Sequence, residues 1–302
     1  MTNSPSIYRG RFAPSPTGPL HKGSLVAAIA SYLEAKTNNG IWLVRMEDVD
    51  ELRNVKGAAD DILRSLDAYG FEWDEDIIYQ TQRKDAYAEA LEKLRQNELI
   101  YPCTCSRKKL RALANEGKLS SGPMGYIYPG TCVNQSFKNT NPEDYAIRIK
   151  TPASTFSFND SLQQHYEQQL DTDLGDFVIR RRDGLFAYQL AVVVDDDYQN
   201  ITHVVRGVDL LDSTPRQIFL QECLNYPQMQ YAHLPLIVNQ QGDKLSKQTG
   251  AEGIGNKPDH SLLIDCLTFL DQKPPADLEK DSLQNIWQWA LENWSLNAIQ
   301  TK

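Results

Sequence analysis

One segment near the start of the chain combines residue types that suit phosphate chemistry. The segment "RFAPSPTGPLHKGS" covers Arg11 to Ser24, and its prolines and glycines force a turn before an apolar-patterned stretch. His21 and Gly23 would then lie at the N-terminus of a helix, where free N–H groups and the helix dipole favour a phosphate. Gly23 would let a nucleotide lie close, and His21 could donate a hydrogen bond to a phosphoryl oxygen. An ordinary strand, turn and helix with a capping histidine has the same local spacing.

A second segment, late in the chain, could contribute positive charge to the same chemistry. In "GDKLSKQTG", residues 242–250, Lys244 and Lys247 flank a Leu-Ser pair within a glycine-containing stretch. Mobile lysines on such a loop can neutralise a triphosphate while phosphoryl or nucleotidyl transfer proceeds. Taken alone, this segment is more typical of an ordinary surface loop.

The five cysteines divide into a cluster and two isolated residues. Their odd number argues against a disulfide framework. Cys103, Cys105 and Cys132 lie close together in the sequence, and three thiolates make a good soft ligand set for zinc. Three unrelated free cysteines are the alternative. Cys223 and Cys266 lie in apolar helical patterns and are expected to fill buried space.

Composition indicates an ordinary globular protein and excludes several classes. Hydrophobic residues make up 41% of the 302 residues and charged residues 24%. No apolar run approaches the roughly 18 residues of a membrane span, and the N-terminus lacks a signal-peptide core, so we expect a cytoplasmic protein without membrane contact. A net charge of −9 argues weakly against a polyanionic partner. Basic clusters at 107–111 and 180–182 could nevertheless contact a nucleic-acid backbone, or they could form solvated faces.

The elements around the first segment predict a strand, a helix and a second strand. "SIYRGRF" alternates like a short strand, "SLVAAIASYLEAK" has the period of an amphipathic helix, and "IWLVRME" is typical of a buried parallel strand. Such a βαβ unit places its helix N-terminus at the carboxyl edge of a parallel sheet, where α/β proteins bind ligands. Two further helices are predicted over 57–70 and 85–97. We therefore expect an α/β fold with a parallel sheet.

From Tyr101 the sequence becomes rich in glycine, proline and cysteine, and short strand-like pieces follow. We predict an insertion over 101–186 that is mostly irregular and β. "FAYQLAVVVDD" then looks like a buried strand returning to the first sheet, and "ITHVVRG" like another strand. "STPRQIFLQECLN" looks like a helix with Ser213 as its N-cap and Pro215 in its first turn. The predicted domains are 1–100 with 187–241, the insertion 101–186, and a loop with a helical stem over 242–302.

The two phosphate-directed segments together resemble a known pair of signatures. His-x-Gly-x after the first strand and Lys-Leu-Ser-Lys late in the chain are similar to the HIGH and KMSKS motifs of class I aminoacyl-tRNA synthetases. "GRFAPSPTGPLHKGS", "VRMEDVDELR", "YQTQRKDAYAEALEKL", "AYQLAVVVDD" and "ITHVVRGVDLLDSTPRQIFL" look like the glutamyl-tRNA synthetase branch, over about Arg9 to Gln248. Lys22 and Ser24 depart from the usual first motif. Ser24 is still small and polar and Lys22 would point away from the site, so neither departure predicts inactivity.

This resemblance implies a class I synthetase fold: a Rossmann-like catalytic domain, a zinc-bearing α+β insertion and a short helical stem. Two cationic groups suit the two carboxylates of glutamate, and one anion suits its ammonium group. The residues implied to bind glutamate are Arg11, Phe12, Ala13, Pro14, Ser15, Glu47, Tyr188 and Arg206. ATP, accompanied by Mg²⁺, would contact His21, Gly23, Lys244 and Lys247, with His21 and Lys247 as catalytic residues.

The resemblance also completes the predicted zinc site. No histidine lies near the three cysteines, the closest in sequence being His165. In small synthetase-like relatives a Tyr-x3-Cys pair completes the site, and here Tyr128 and Cys132 match that pair. The implied ligands of one structural zinc ion are Cys103, Cys105, Tyr128 and Cys132.

The stretch after Gln248 is too short for the large helical domain with which glutamyl-tRNA synthetases read the anticodon. An active site without that reader resembles the short paralogues that transfer glutamate to queuosine, the modified wobble base of tRNA(Asp). Val192 agrees, because tRNA-charging glutamyl enzymes tend to carry a polar residue there. The implied partners are ATP, L-glutamate and queuosine-containing tRNA(Asp), with the basic clusters on the RNA backbone. We expect a monomer.

Two other functions stay open at this point. A truncated enzyme that charges tRNA would share the glutamate and ATP sites. A non-catalytic paralogue could bind tRNA or an amino acid as a regulator, although the intact His21, Gly23, Lys244 and Lys247 argue against it. A Rossmann dehydrogenase is excluded because no G-x-G-x-x-G follows the first strand.

Overall fold

The computed structural model describes residues 7–122, 125–139, 141, 143–237 and 253–301. The strands in these ranges are β1 (Arg9–Phe12), β2 (Ile41–Met46), β3 (Ile78–Tyr79), β4 (Ile100–Cys103), β5 (Ser121–Gly122), β6 (Gly125–Tyr126), β7 (Ala146–Ile149), β8 (Thr155–Asp160), β9 (Gln164–Gln169), β10 (Phe177–Arg180), β11 (His203–Gly207) and β12 (Gln230–Leu234). The helices are α1 (Lys22–Thr37), α2 (Ala58–Ala68), α3 (Lys84–Gln96), α4 (Arg107–Asn115), α5 (Leu170–Asp173), α6 (Tyr188–Tyr198), α7 (Thr214–Leu224), α8 (His260–Phe269) and α9 (Leu283–Asn293).

Parallel strands form the centre of the fold. β2 pairs in parallel with both β1 and β3, and β11 pairs in parallel with β12. The two groups of strands meet where the Thr202 N–H donates to the Arg9 carbonyl over 3.0 Å. The predicted βαβ unit is confirmed, because α1 connects β1 to β2 and packs against both.

The predicted helical stem is also confirmed. α8 and α9 pack against α1. Among the described helices, none is long and apolar enough to cross a membrane. Trp287 on α9 inserts between Tyr32 and Phe71, with ring centroids 5.1 and 5.0 Å away, and donates to the Tyr69 carbonyl over 2.8 Å. Edge-to-face aromatic contacts of this kind anchor the stem on α1 and on the stretch after α2.

The segment "FAYQLAVVVDD" forms a helix, so its prediction as a strand is wrong. Residues 189–196 of α6 are all buried, and α6 packs against α3 and α7. Because every side of this helix is covered, its sequence is a continuous apolar run. Such a run does not distinguish a buried strand from a buried helix.

The helix α7 begins as predicted, with Ser213 in the N-cap position and Pro215 in its first turn, but the Ser213 side chain makes no capping hydrogen bond. A 3₁₀ turn over Val208–Ser213 leads directly into α7, and the Thr214 N–H donates to the Leu211 carbonyl in that turn. The Ser213 hydroxyl instead accepts hydrogen bonds from Gln189 and Arg216, over 3.1 and 2.9 Å.

The segment 101–186 contains the predicted short strands, with two short helices as well. β7 pairs antiparallel with β4 and β10, and β8 and β9 form a hairpin. That hairpin is attached to the central strands, because Asp160 at the end of β8 pairs with Tyr231 of β12. The predicted insertion therefore adds two strands, β8 and β9, to the sheet that contains β11 and β12.

Candidate active site and metal centre

A cleft of about 1060 Å³ opens at the carboxyl end of the central strands. Its wall includes the residues after β1, Glu47 after β2, Arg206 in β11 and residues 234–237 at the end of β12. This edge is where parallel α/β sheets bind ligands. The predicted site residues on the wall are Arg11, Phe12, Ala13, Pro14, Ser15, His21, Gly23, Glu47, Tyr188 and Arg206. Lys244 and Lys247 lie outside the described residues.

His21 is the N-cap of α1 and lies on the cleft wall. Its Nδ1 accepts a hydrogen bond from the Ser24 N–H over 3.2 Å, and its Nε2 lies 3.3 Å from Ser24 Oγ. An accepting Nδ1 implies that the neutral ring carries its proton on Nε2. The capping geometry therefore fixes which nitrogen can donate to a ligand. Lys22 points the other way, as expected, and pairs with Asp265 of α8 over 3.0 Å.

A network of buried ion pairs supports the cleft. Asp196 on α6 accepts from Arg11 Nε and Nη2 over 3.1 and 3.3 Å, and Arg45 Nη1 lies 2.8 Å away. Burial opposes ionisation of Asp196, but these two arginines outweigh it and lower its pKa. Glu47 contacts Arg45 Nη2 at 3.3 Å, yet burial dominates there and raises the Glu47 pKa. Asp196 is thus a permanent carboxylate, while Glu47 would gain from an added cation.

The residues that hold this network together were not among those predicted from the sequence. Arg45 interrupts an otherwise apolar strand, and Asp195 and Asp196 end an apolar run, which is the signal that could have identified them. Buried charges of this kind must be paired. Asp195 is held by Arg83 at 2.6 Å and by the Tyr87 hydroxyl at 2.7 Å.

Arg206 is fixed at the end of β11. Its Nε donates to His233 Nε2 over 3.1 Å and its Nη2 to Thr214 Oγ1 over 2.8 Å, while Nη1 is buried without a hydrogen-bond partner among the described residues. Tyr188 begins α6 on the same wall, and burial together with the Glu47 charge raises its pKa, so its hydroxyl stays a donor. A guanidinium with a spare donor beside a phenol suits a carboxylate ligand.

The second cluster consists of Cys103, Cys105, Cys132 and Tyr128. The three sulfur atoms lie within 4.8 Å of one another and could hold a metal ion. Cys105 Sγ is 3.6 Å from Cys132 Sγ, and Tyr128 Oη is 3.3 and 3.7 Å from the sulfurs of Cys103 and Cys105. Tetrahedral coordination with bonds of about 2.0–2.3 Å separates ligand atoms by roughly 3.5–3.8 Å. The three measured separations lie near this range, so the three thiols could hold a single small metal ion with the phenol beside them.

The surroundings of the cysteine cluster favour negative charge on Cys132, whereas burial raises the pKa of the Cys105 thiol to about 11 and also raises that of Tyr128. Arg148 Nε donates to Cys103 Sγ over 3.4 Å, and its guanidinium carbon lies 3.7 Å from the centroid of the Tyr128 ring. Burial would raise the pKa of the Cys132 thiol, but hydrogen bonds from the Tyr128 hydroxyl and the Thr104 backbone outweigh it and lower that pKa to about 7. Metal binding requires such deprotonated sulfur.

The two basic clusters differ in their surroundings. Residues 107–109 and 111 are exposed on α4. Arg181, by contrast, lies on the cleft wall and pairs with Asp50 at 2.9 Å and Asp183 at 2.6 Å. Arg182 donates to the carbonyls of Thr104 and Asp144. The second cluster is therefore engaged within the chain to a greater degree than the first.

Residues 8–255 match the family model described as tRNA synthetases class I (E and Q), catalytic domain. The chain is 54% identical to the Glutamyl-Q tRNA(Asp) synthetase of Dechloromonas aromatica, covering 98% of this chain and 96% of the relative. It is 48% identical to the protein of the same name from Chromobacterium violaceum, with the same coverage. The crystal structure of glutamate-tRNA synthetase from Elizabethkingia anophelis superposes with a TM-score of 0.79 at 25% identity, covering 98% of this chain and 67% of that one.

Proposed function

The chain belongs to the class I tRNA synthetases of the glutamyl and glutaminyl type, and on this premise we propose that it activates glutamate with ATP and transfers it to queuosine in tRNA(Asp). The observation that carries the proposal is the convergence of His21, Gly23, Arg11, Arg206 and Glu47 on one cleft. The choice of acceptor is supported by the names of relatives that match almost the whole chain.

Glutamate would occupy the part of the cleft between β1, β2 and β11. The spare Nη1 of Arg206 supports the binding of one carboxylate, and Arg11 lies on the same wall for the other. The ammonium group would pair with Glu47, whose carboxylate is buried with incomplete compensation. The Tyr188 hydroxyl, Ser15 and the backbone at Ala13 would add hydrogen bonds.

In the first step the glutamate α-carboxylate attacks the α-phosphorus of ATP, giving glutamyl-adenylate and pyrophosphate. The α1 N-terminus and Gly23 admit the phosphates, and the Nε2–H of His21 donates a hydrogen bond to a phosphoryl oxygen as negative charge builds there. Lys247, with Lys244, is proposed to hold the ATP phosphates, and Mg²⁺ bound with ATP supplies further counter-charge. The chain contributes position and charge stabilisation, without a covalent intermediate on the protein.

In the second step a hydroxyl of the queuosine cyclopentene ring attacks the adenylate carbonyl, and AMP leaves. The adenylate phosphate takes up the hydroxyl proton. Because queuosine lies in the anticodon loop, that loop would have to enter the cleft. The exposed basic residues of α4 are suited to contact the phosphate backbone of the neighbouring RNA.

We infer that the metal of the cysteine cluster is zinc, held by Cys103, Cys105, Cys132 and Tyr128. The ion would act structurally, by joining β4 to the stretch around Cys132. This segment needs such a link because its own buried apolar cluster is small. A cytoplasmic location, which keeps thiols reduced, suits such a site.

Glutamate-dependent exchange of labelled pyrophosphate into ATP tests the activation step. With and without tRNA(Asp), we expect exchange with glutamate and none with glutamine. His21→Ala should slow exchange by about 10²–10³-fold, because the Nε2 donor is lost. Lys22→Ala, whose side chain points to Asp265, is the matched control and should stay near wild type. A wild-type chain without exchange would favour a non-catalytic binder of tRNA or amino acid. A truncated tRNA-charging enzyme would pass this test and is separated by its acceptor.

A further inference from the structure

Behind Arg206 lies a buried pair of side chains that the proposed reaction does not use. Asp160 closes β8 and His233 lies in β12, and both side chains are fully buried. His233 Nδ1 is 2.6 Å from Asp160 Oδ2, and His233 Nε2 is 3.1 Å from Arg206 Nε. The three side chains thus form one line from the predicted insertion to the cleft wall.

The hydrogen bonds fix the protonation of both groups. Asp160 Oδ1 accepts the backbone N–H groups of His233, Leu162 and Gln163 over 3.1, 3.0 and 2.9 Å. These donors stabilise Asp160 as a carboxylate, so its second oxygen, Oδ2, must accept a hydrogen bond from a protonated Nδ1 of His233. The Nε2 atom of His233 is then unprotonated, and its lone pair can accept the hydrogen bond from the Arg206 Nε–H. If both ring nitrogens of His233 carried a proton, its Nε2–H and the Arg206 Nε–H would face each other as two donors without an acceptor.

The orientation of Arg206 depends on this lone pair. Its Nε is held by His233 and its Nη2 by Thr214 Oγ1 and the Leu210 carbonyl, over 2.8 and 3.4 Å. The plane of the guanidinium is therefore set on two sides, and Nη1, buried without a hydrogen-bond partner among the described residues, is the nitrogen that we assign to a ligand. Fixing a binding group before the ligand arrives saves the entropy of ordering it during binding.

We propose that Asp160 and His233 are positioning residues that hold Arg206 ready for a carboxylate of glutamate, a role that rests on the proposed function. Neither residue needs to touch the substrate. Through Asp160, the hairpin of β8 and β9 becomes part of the apparatus that sets glutamate affinity.

Two substitutions at one position separate the two hydrogen bonds of the imidazole. In His233→Asn the amide nitrogen can replace Nδ1 and donate to Asp160, but no acceptor reaches Arg206. In His233→Gln the amide oxygen can replace Nε2 and accept from Arg206, while the donor to Asp160 is lost. For both variants, glutamate-dependent pyrophosphate exchange gives the KM for glutamate, and calorimetry gives its Kd.

We expect His233→Asn to raise the KM and Kd for glutamate at least about tenfold, with the KM for ATP within about twofold of wild type. His233→Gln should recover most of that loss. A general loss of structure would instead change the ATP KM and kcat in both variants alike, and that result would overturn the proposal. An unchanged glutamate KM in His233→Asn would also overturn it.

Asp160→Asn provides a second route if His233→Asn does not fold. The amide keeps the volume but no longer dictates that Nδ1 carries the proton, so the glutamate KM should rise several-fold. An unchanged value would contradict the proposal. A wild-type chain that neither exchanges nor binds glutamate would overturn the proposed function itself, and the positioning role with it. An active wild type with unaffected variants would overturn the positioning role alone.

Discussion

Charge is compensated differently in the ion-pair network under the cleft and in the cysteine cluster. Under the cleft, the Asp196 carboxylate meets Arg11 and Arg45, so the buried charges compensate one another within the chain. In the cysteine cluster three thiols and a phenol converge, and Arg148 is the cation that contacts them among the described residues. Deprotonating those ligands to bind a metal leaves more negative charge than Arg148 alone can offset, and a bound cation would supply the rest. The ion pairs under the cleft can therefore form before its ligands arrive, whereas the charge balance of the cysteine cluster would be completed by the proposed metal ion.

The largest expected effect is on the metal centre. Cys105→Ser should reduce bound zinc from about one per chain to near none, measured by plasma mass spectrometry, because structural zinc sites contribute about 10–16 kcal/mol of apparent binding energy. Hydrogen exchange should then rise in peptides containing Cys103 and Cys132. Cys223→Ser, outside the cluster, is the control. Glutamate-dependent exchange should survive, and its loss together with zinc would show that the two regions are not independent.

The next largest effect is expected from breaking the internal balance under the cleft. Asp196→Ala leaves the buried charges of Arg11 and Arg45 without their shared partner, and should cost about 3–5 kcal/mol of unfolding free energy in urea titrations. Asp197→Ala, its neighbour on α6 outside these ion pairs, should cost far less. Equal costs would mean that the network does not support the fold.

The free energy of unfolding should depend on pH through the buried His233. Burial lowers the pKa of His233 in the folded chain, so the unfolded chain binds a proton first as pH falls. The stability contributed by neutral His233 is present above about pH 6.5 and is lost below it, by about 1.4 kcal/mol for each pH unit down to the folded-state pKa. His233→Gln should lack this component. Parallel stability curves for the two proteins between pH 7 and 5 would contradict the assignment.

The smallest effects are expected on the surface. Lys108→Ala combined with Lys109→Ala should weaken tRNA(Asp) binding and reduce the slope of log affinity against log salt by about 1–2, while sparing pyrophosphate exchange. Arg181→Ala with Arg182→Ala should reduce the slope less, since Arg181 already pairs with Asp50 and Asp183. Filter binding at several salt concentrations measures both. Unchanged slopes would make the clusters solvated faces.

Local patterns in the sequence were enough to predict the first βαβ unit and the position of His21. A proline- and glycine-containing turn between a strand and an amphipathic stretch determines where the helix must begin. The cysteine cluster was equally predictable, because its members lie close in sequence and their chemistry is specific. Both predictions depend on neighbours along the chain.

The supporting residues could not be predicted in the same way. Arg11 and Asp196 are 185 positions apart, and Asp160 and His233 are 73 apart, so their pairing depends on the tertiary fold. The wrong assignment of α6 has a related cause, since burial on all sides removes the period that identifies a helix. Which charges meet is decided by the packing of these elements.

The most direct test of the proposed function uses radiolabelled glutamate, ATP and two samples of tRNA(Asp), one with queuosine and one with guanosine at the wobble position. We expect label on the queuosine sample alone, and nuclease digestion should release that label with the anticodon nucleoside. Label on tRNA(Glu), released with its 3′-terminal adenosine, would contradict the acceptor assignment and make this a tRNA-charging enzyme.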